Sequence, residues 1–248
     1  MAGYTRAKVV TERDQELMRF IGQGGVATLD QLHRRHWPNA QVQTARDRLS
    51  QLEKAGWIKA QPVSAGGQGN EIAFTLTRKG AALFPRSEAE RFYIGLPSLG
   101  ELKQQLRGQD ARIQLERYLA QRGERLLYWK SEREIRSEFY RELFTDNKKQ
   151  GYAHNKKHLD SPSVDDIADA QATVIDGGGN ERTINIEIDG QYYGKMLDRK
   201  IEAFAKYGGG SNSSTQSMWV TTPNRAERVG AALSAHNHGH ILLMVVGN

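Results

Sequence analysis

Three acidic residues in the last third of the chain have the type and spacing to bind a divalent cation. Asp169 lies at the start of one alternating strand pattern, ADAQATVID, and Glu187 and Asp189 lie at the end of the next, ERTINIEIDG. Carboxylate oxygens are hard ligands of the kind that Mg²⁺ and Mn²⁺ prefer. If the three side chains meet, a cation or protons must offset their repulsion.

The strand patterns predict that these carboxylates do meet. The turn-forming segment DGGGN separates the two patterns, which indicates a β-hairpin. A one-residue slip would move one apolar set to the polar face, so the alanines and valine of the first strand must share a face with the isoleucines of the second. Asp169 then lies beside Glu187 or Asp189 on the opposite face. The alternative is an exposed strand face whose acidic residues are only solvated.

The elements on either side predict an α/β (α+β) arrangement around the hairpin. Before it we expect a helix from about Asp110 to Gln121 and a strand turning into a helix in RLLYWKSEREIR. After it the chain gives, in order, a helix in YYGKMLDRKIEAFAKYG, a strand in SMWVTT, a helix in NRAERVGAALSAH and a strand in HILLMVV. This layout, with D…ExD on the hairpin, resembles the restriction-endonuclease-like PD-(D/E)xK core.

The first third of the chain resembles a winged helix-turn-helix domain. Thr11 and Thr28 open two helical patterns, and a third runs from Asn39 to about Ala55, with Val42, Ala45, Leu49 and Leu52 facing inward. Two short strands around the tip SAGGQGNE then form a hairpin, and TRKGAALF is similar to the short helix that follows the wing. The junction LSQLEKAGWIKAQ resembles that between recognition helix and wing.

This domain supplies the residues that we expect to contact double-stranded DNA. Glutamine and arginine can pair with base edges, and arginine and threonine can hold phosphates. The candidates are Arg34, Arg35, Gln43, Thr44, Arg46 and Arg48, together with Lys156 and Lys157 of the basic segment NKKQGYAHNKKH. The alternatives are a winged helix that contacts proteins, and a basic segment that is simply a loop.

Together the two halves resemble the replication-relaxation family and the MobC-type plasmid relaxases. That resemblance implies metal-dependent nicking of DNA at an origin of transfer, with Mg²⁺ or Mn²⁺ held by Asp169, Glu187 and Asp189. Asp169 takes the place of the motif's aspartate, after Ala168 instead of proline, and Glu187 takes that of its acidic residue. Asp189 occupies the lysine position, so another residue would have to supply the positive charge of that lysine. The candidates for the missing groups are Lys195 or Lys200 for the lysine, and Glu134, with Asp165 or Asp166 as substitutes, for a further acid.

Two other segments could suggest chemistry. The sequence HNHGH, from His236 to His240, is interpreted as a helix-to-strand turn rather than a metal site. In the pair Tyr192-Tyr193, helical spacing places Tyr193 on an apolar stripe with Leu197, Ile201 and Phe204, so Tyr193 is predicted to be core. Tyr192 remains a candidate nucleophile.

Composition sets the remaining limits. The 248 residues carry a net charge of +6, which suits a polyanionic partner, and contain no cysteine, which excludes disulfides and thiolate metal sites. Without a long apolar run we expect no membrane insertion and a cytoplasmic location. We expect a winged helix at 1–84, a linker at 85–108 and a nuclease-like domain at 109–248.

The sequence therefore favours a DNA endonuclease of the nickase or relaxase type, with other relaxosome or coupling proteins as further partners. A second hypothesis is a DNA-binding regulator or relaxosome accessory protein on a degenerate nuclease fold, without catalysis. A restriction or repair endonuclease would share the chemistry and differ only in its DNA.

Overall fold

The computed structural model shows a mixed α+β protein with helices and two β-sheets. It describes residues 9–63, 71–149, 167–190, 192–208 and 215–246, and gives only the backbone of residues 142–149, 207 and 208. The chain divides into two compact units, Met1–Ile113 and Gln114–Asn248. None of the helices in these ranges is long and apolar enough to cross a membrane.

The first unit opens with three helices, α1 (Glu12–Gly24), α2 (Leu29–His36) and α3 (Val42–Lys54). Thr11 and Thr28 start α1 and α2 with capping boxes, as predicted. The N-cap of α3 is Gln41 rather than Asn39, and Val42, predicted to face inward, is 39% exposed in the first turn. The other predicted inward residues of α3 are buried in one core with α1 and α2: Ala45, Leu49 and Leu52.

A three-stranded antiparallel sheet packs with these helices. Its strands are β1 (Ala27–Thr28), β2 (Ile58–Val63) and β3 (Glu71–Leu76), in the spatial order β1-β3-β2. β2 and β3 form the predicted hairpin, whose tip lies outside the described residues. The predicted short helix follows as α4 (Arg78–Ala81).

Residues 85–108, predicted to be a linker, contribute some of their apolar side chains to the buried clusters of the first unit. After α5 (Arg86–Ala89), Phe92 is buried in the core of the three helices. α6 (Leu99–Gln121) starts well before the predicted Asp110. Two leucines near its start enter a further buried cluster, Leu102 and Leu106. Gly95, whose φ is +84°, lies at a bend before α6, whereas Gly100 and Gly108 lie within that helix.

The second unit is built on a five-stranded sheet. Its strands, in spatial order, are β4 (Arg125–Ser131), β5 (Ala170–Ile175), β6 (Glu181–Ile188), β7 (Thr215–Thr221) and β8 (Leu242–Val245). The pairs β4-β5 and β5-β6 are antiparallel, whereas β6-β7 and β7-β8 are parallel. β4 leads directly into α7 (Glu132–Lys149), as its sequence predicts.

Two helices cover one face of this sheet, α8 (Lys195–Ala203), which continues as a π-helical turn, and α9 (Pro223–Ala235). Leu197 and Ile201 of α8 pack with Trp219 of β7 in the apolar core beneath them. Trp219 is the register partner of Glu187, and partners on adjacent strands point to the same face. The fold therefore directs Glu187 toward α8.

Candidate functional site

The hairpin register brings Asp169 and Glu187 together, as predicted. Ala170 pairs with Ile186 and Ala172 with Ile184, so Asp169, one residue before β5, falls opposite Glu187. The backbone N–H of Ile188 donates to Oδ2 of Asp169 at 2.8 Å, which fixes that carboxylate at the end of β6. Two carboxylates thus share one end of the hairpin.

Glu187 is the buried member of this pair. It is 1% exposed, and neither carboxylate oxygen accepts a well-aligned hydrogen bond from any residue that the structure describes. Burial raises the pKa of Glu187 well above its ordinary value, and the charge of Asp169 raises it further, against the opposing charge of Lys200. A buried acid with unsatisfied oxygens needs a proton or a cation.

Lys200 brings a positive charge to the two carboxylates. Its Nζ lies 3.1 Å from Oε1 of Glu187. Burial lowers the pKa of Lys200, but the charges of Glu187 and Asp169 outweigh that effect, so the net shift is upward. Lys195, the other predicted candidate, is exposed in the first turn of α8. Of the two lysines, Lys200 is therefore the one that joins the carboxylates.

Asp189 differs from the prediction that it completes a carboxylate trio. Its carboxylate accepts hydrogen bonds from Nε of Arg225 at 2.5 Å and from Nη2 at 3.1 Å. The Thr221 hydroxyl also donates to it, at 2.8 Å. Both Asp189 and Arg225 are buried. The described residues contain no group of three or more His, Asp or Glu side chains arranged to hold a metal ion.

The acid on helix α7 also differs from the prediction. Glu134 closes the N-terminus of the helix: its carboxylate accepts from the Ser131 N–H at 3.2 Å and from the Tyr128 hydroxyl at 2.5 Å. Glu132, not singled out from the sequence, is the α7 acid whose charge contributes to raising the pKa of Glu187. Helical position alone gave no signal to choose between the two.

Tyr193 is not in the core as predicted, whereas Tyr192 packs against it. α8 begins at Lys195 after Gly194, whose φ is +51°, so Tyr192 and Tyr193 precede the helix and do not follow its apolar stripe. Tyr192 is half-buried against the core, where burial raises the pKa of its phenol and the charge of Lys200 opposes the shift. Tyr193 is 59% exposed.

The histidine-rich turn is a packed corner. The His236 ring lies between two carboxylates of α8, with Nε2 3.2 Å from Asp198 and Nδ1 3.3 Å from Glu202. His238 stacks on His236 and meets His240 edge to face. These contacts fasten the end of α9 to α8, in line with the predicted turn.

Three predicted DNA contacts on α3 are exposed, namely Gln43, Thr44 and Arg46. The two residues of α2 that were predicted to contact DNA, Arg34 and Arg35, interact with other side chains of the first unit. Arg34 forms ion pairs with Asp30 and Asp110 at 2.6 and 2.5 Å, and the Arg35 guanidinium lies 4.6 Å from the centre of the Phe20 ring. Four predicted positions lie outside the described residues: Lys156, Lys157, Asp165 and Asp166.

Arg48 has a structural partner. Its Nε donates to Oδ1 of Asp14 at 2.9 Å, and its Nη2 donates to the other oxygen. Asp14 is 1% exposed. Burial raises the pKa of Asp14, but the Arg48 hydrogen bonds and the Thr11 cap outweigh it, so the net shift is downward. This ion pair joins α3 to the start of α1.

We therefore expect Arg48→Gln to destabilise the first unit by about 3 kcal/mol, because it leaves a buried carboxylate without its cation. Arg46→Gln, on the same helix but exposed, is the matched control and is expected to leave unfolding unchanged while weakening DNA binding. Urea unfolding and a DNA-binding titration check both. Equal stability of the two variants would contradict a structural role for Arg48.

Arg225, like Glu132, was not singled out from the sequence. It lies 36 positions after its partner Asp189 along the chain, and no local pattern links an arginine in the first turn of a helix to an aspartate at the end of a distant strand.

Comparison with family models identifies a match over most of the chain. The family described as Replication-relaxation matches residues 18–217. The matched range includes both carboxylates, Lys200 and most of both units. Comparison with curated proteins gave no match.

Proposed function

The chain belongs to the replication-relaxation family, and from that premise we propose that it is a DNA-binding endonuclease that nicks plasmid or mobile-element DNA at an origin of transfer. The family name suggests a role in the replication or relaxation of such DNA. One observation carries the proposal of catalysis: Asp169, Glu187 and Lys200 meet at the end of a hairpin, and the buried Glu187 carboxylate lacks aligned hydrogen bonds.

The order of elements supports the two proposed domain types. In the second unit, a sheet of order β4-β5-β6-β7-β8, with acids at the open end of the β5-β6 hairpin, resembles the PD-(D/E)xK core. In the first unit, three helices followed by an antiparallel hairpin resemble a winged helix. Its third helix exposes Gln43, Thr44 and Arg46 for contact with the DNA.

Asp169 and Glu187 are the residues that would hold Mg²⁺ or Mn²⁺. The fit rests on Oε2 of Glu187, which accepts no hydrogen bond from the described residues, beside a second carboxylate. Mg²⁺ commonly uses only one or two protein carboxylates and takes its other ligands from water and substrate phosphate, so two suffice. When bound, such a cation supplies a water of lowered pKa and offsets the charge of the phosphate.

Lys200 would replace the lysine of the motif, whose position is occupied by Asp189 in this chain. Its pKa is raised, so the ammonium keeps its proton at neutral pH. It therefore acts through its charge, by steadying Glu187 and the phosphate in the transition state, and not as the base that accepts a proton. Glu187 lies on β6 and Lys200 on α8, and the ion pair of Asp189 with Arg225 anchors the segment that connects these two elements.

A plasmid-relaxation assay tests the proposal. The purified full-length protein is incubated with supercoiled plasmid that carries the DNA flanking its own gene, with Mg²⁺ or Mn²⁺. We expect conversion to the open-circular form without linear product. The same plasmid with EDTA, and an empty plasmid with metal, are the controls. Absence of relaxed product with either metal, together with unchanged thermal stability in their presence, would refute the catalytic proposal.

A non-catalytic DNA-binding regulator or relaxosome accessory protein is the second candidate. The observation that favours it is Asp189 in the lysine position, tied into a buried ion pair. Such a protein would bind the plasmid specifically in the assay above and leave it supercoiled.

A further inference from the structure

An exposed aromatic ring lies in the segment between β6 and α8. Tyr193 keeps 59% of its surface exposed. The guanidinium carbon of Arg225 lies 4.5 Å from the centre of its ring, and that of Arg228 lies 4.9 Å from it. With more than half of its surface open, the Tyr193 side chain is not enclosed by these two arginines. Tyr193 therefore presents an exposed aromatic side chain bordered by positive charge.

This ring is fastened close to the carboxylate cluster. Arg225, which holds Asp189, also donates through Nη2 to the backbone oxygen of Tyr192 at 2.5 Å. Tyr192 in turn lies near enough to Lys200 and Glu187 for their charges to act on its phenol. Tyr192 thus packs against the core while Tyr193, the next residue, faces solvent, and Arg225 links both of them to Asp189.

The exposed surface around Tyr193 is cationic and partly apolar. Met196, whose N–H donates to the Tyr193 carbonyl, is 64% exposed. Two acids on α8, Asp198 and Glu202, are directed to His236 instead. Arg228 of α9, which borders the ring, is exposed, and Lys195 and Arg199 are exposed basic residues of α8.

We propose that Tyr193 and Arg228 form a stacking subsite for an unpaired base of single-stranded DNA. An exposed aromatic face among cations matches a base plane that is flanked by phosphates, and base–aromatic stacking tolerates any sequence. Paired bases in a duplex offer no free face, so the subsite selects a strand that is locally open. The inference rests on the proposed function and specifies its substrate as DNA unpaired next to the cut.

Binding without cleavage tests the subsite directly. Fluorescence anisotropy in EDTA compares labelled oligothymidylate with an abasic oligonucleotide of equal length, which carries the same phosphates without bases. The full-length protein is expected to prefer oligothymidylate, and Tyr193→Ala to weaken that binding by about 10-fold or more. The abasic strand should bind the parent and Tyr193→Ala equally, and Tyr193→Phe and Tyr193→Trp should retain the preference for bases.

Tyr118 provides a matched control. It is 41% exposed on α6 and has the Arg122 guanidinium 5.5 Å from its ring centre. Arg122 pairs with Glu124, which in turn pairs with Arg182 near the start of β6, far along the strand from Glu187. Tyr118→Ala therefore removes a similar tyrosine and is expected to leave oligothymidylate binding unchanged.

Three results would overturn the subsite. These are unchanged binding in Tyr193→Ala, equal loss with the abasic strand, and a change of oligomeric state in light scattering, which would assign the ring to an interface between copies. The proposed function can fail separately. If Tyr193→Ala weakens binding but the protein never relaxes plasmid, the subsite stands and the nuclease proposal fails. If the protein nicks plasmid but Tyr193→Ala changes nothing, the nuclease proposal stands and the subsite fails.

Discussion

Under the proposed function, we expect Glu187→Gln to reduce plasmid nicking at least about 100-fold and to leave DNA binding nearly unchanged. The change keeps the size of the side chain and removes the buried charge that would hold a divalent cation beside Asp169. Initial rates of relaxed-circle formation and a duplex-binding titration measure the two effects. In the parent, Mn²⁺ should raise the thermal transition by mass action, and it should do so less in the variant.

The lysines of α8 give a matched pair for the same site. Lys200→Ala is expected to lower nicking to a similar extent, because it removes the cation that lies 3.1 Å from Glu187. Lys195→Ala, on the exposed first turn of the same helix, is expected to retain nicking. If Asp169→Asn and Glu187→Gln both cleave at the parent rate, the carboxylates are not the catalytic site.

We expect Arg225→Gln to destabilise the second unit by about 3–5 kcal/mol. The substitution leaves the buried Asp189 carboxylate with the Thr221 hydroxyl but without the opposite charge that offsets its desolvation. Asp189→Asn should produce a loss of the same order, because it removes the carboxylate charge that offsets the buried Arg225 guanidinium. Thermal and urea unfolding, followed by tryptophan fluorescence, provide the measurement.

The control for this pair is a double variant. If Asp189 and Arg225 act on each other, the combined change should cost less than the sum of the single changes. Arg228→Gln, an exposed substitution on the same helix, should leave stability unaltered. The sequence-based hypothesis makes the opposite prediction: an Asp189 that binds metal would lose the Mn²⁺ shift on substitution to Asn and keep its metal-free stability.

The pairing of Asp169 with Glu187 could be predicted because strand register follows from local alternation. Alanines on one strand and isoleucines on the other are buried on one face, and the observed pairs Ala170–Ile186 and Ala172–Ile184 confirm that register. The hairpin is short and its turn is marked by glycines. Little information from outside the segment is needed to place these two carboxylates.

The partners of buried charges could not be predicted in the same way. Alternation shows which face a residue occupies but not which distant side chain meets it. Asp189 and Arg48 both followed patterns that suggested exposed functional groups, and each is paired with a residue on another element. The phase of α8 was misjudged for a related reason, since its stripe was extended back past Gly194, where the backbone turns.

The buried pair at Asp189 has a consequence for genetics. Thr221 and Arg225 lie beyond residue 217, where the family match ends, yet they hold the segment that leads from Glu187 to Lys200. A screen for loss of activity should therefore recover substitutions there alongside those in the carboxylates. The two classes would separate by abundance in the cell: carboxylate variants accumulate normally, whereas variants at Arg225 are depleted by proteolysis because their unfolded fraction rises.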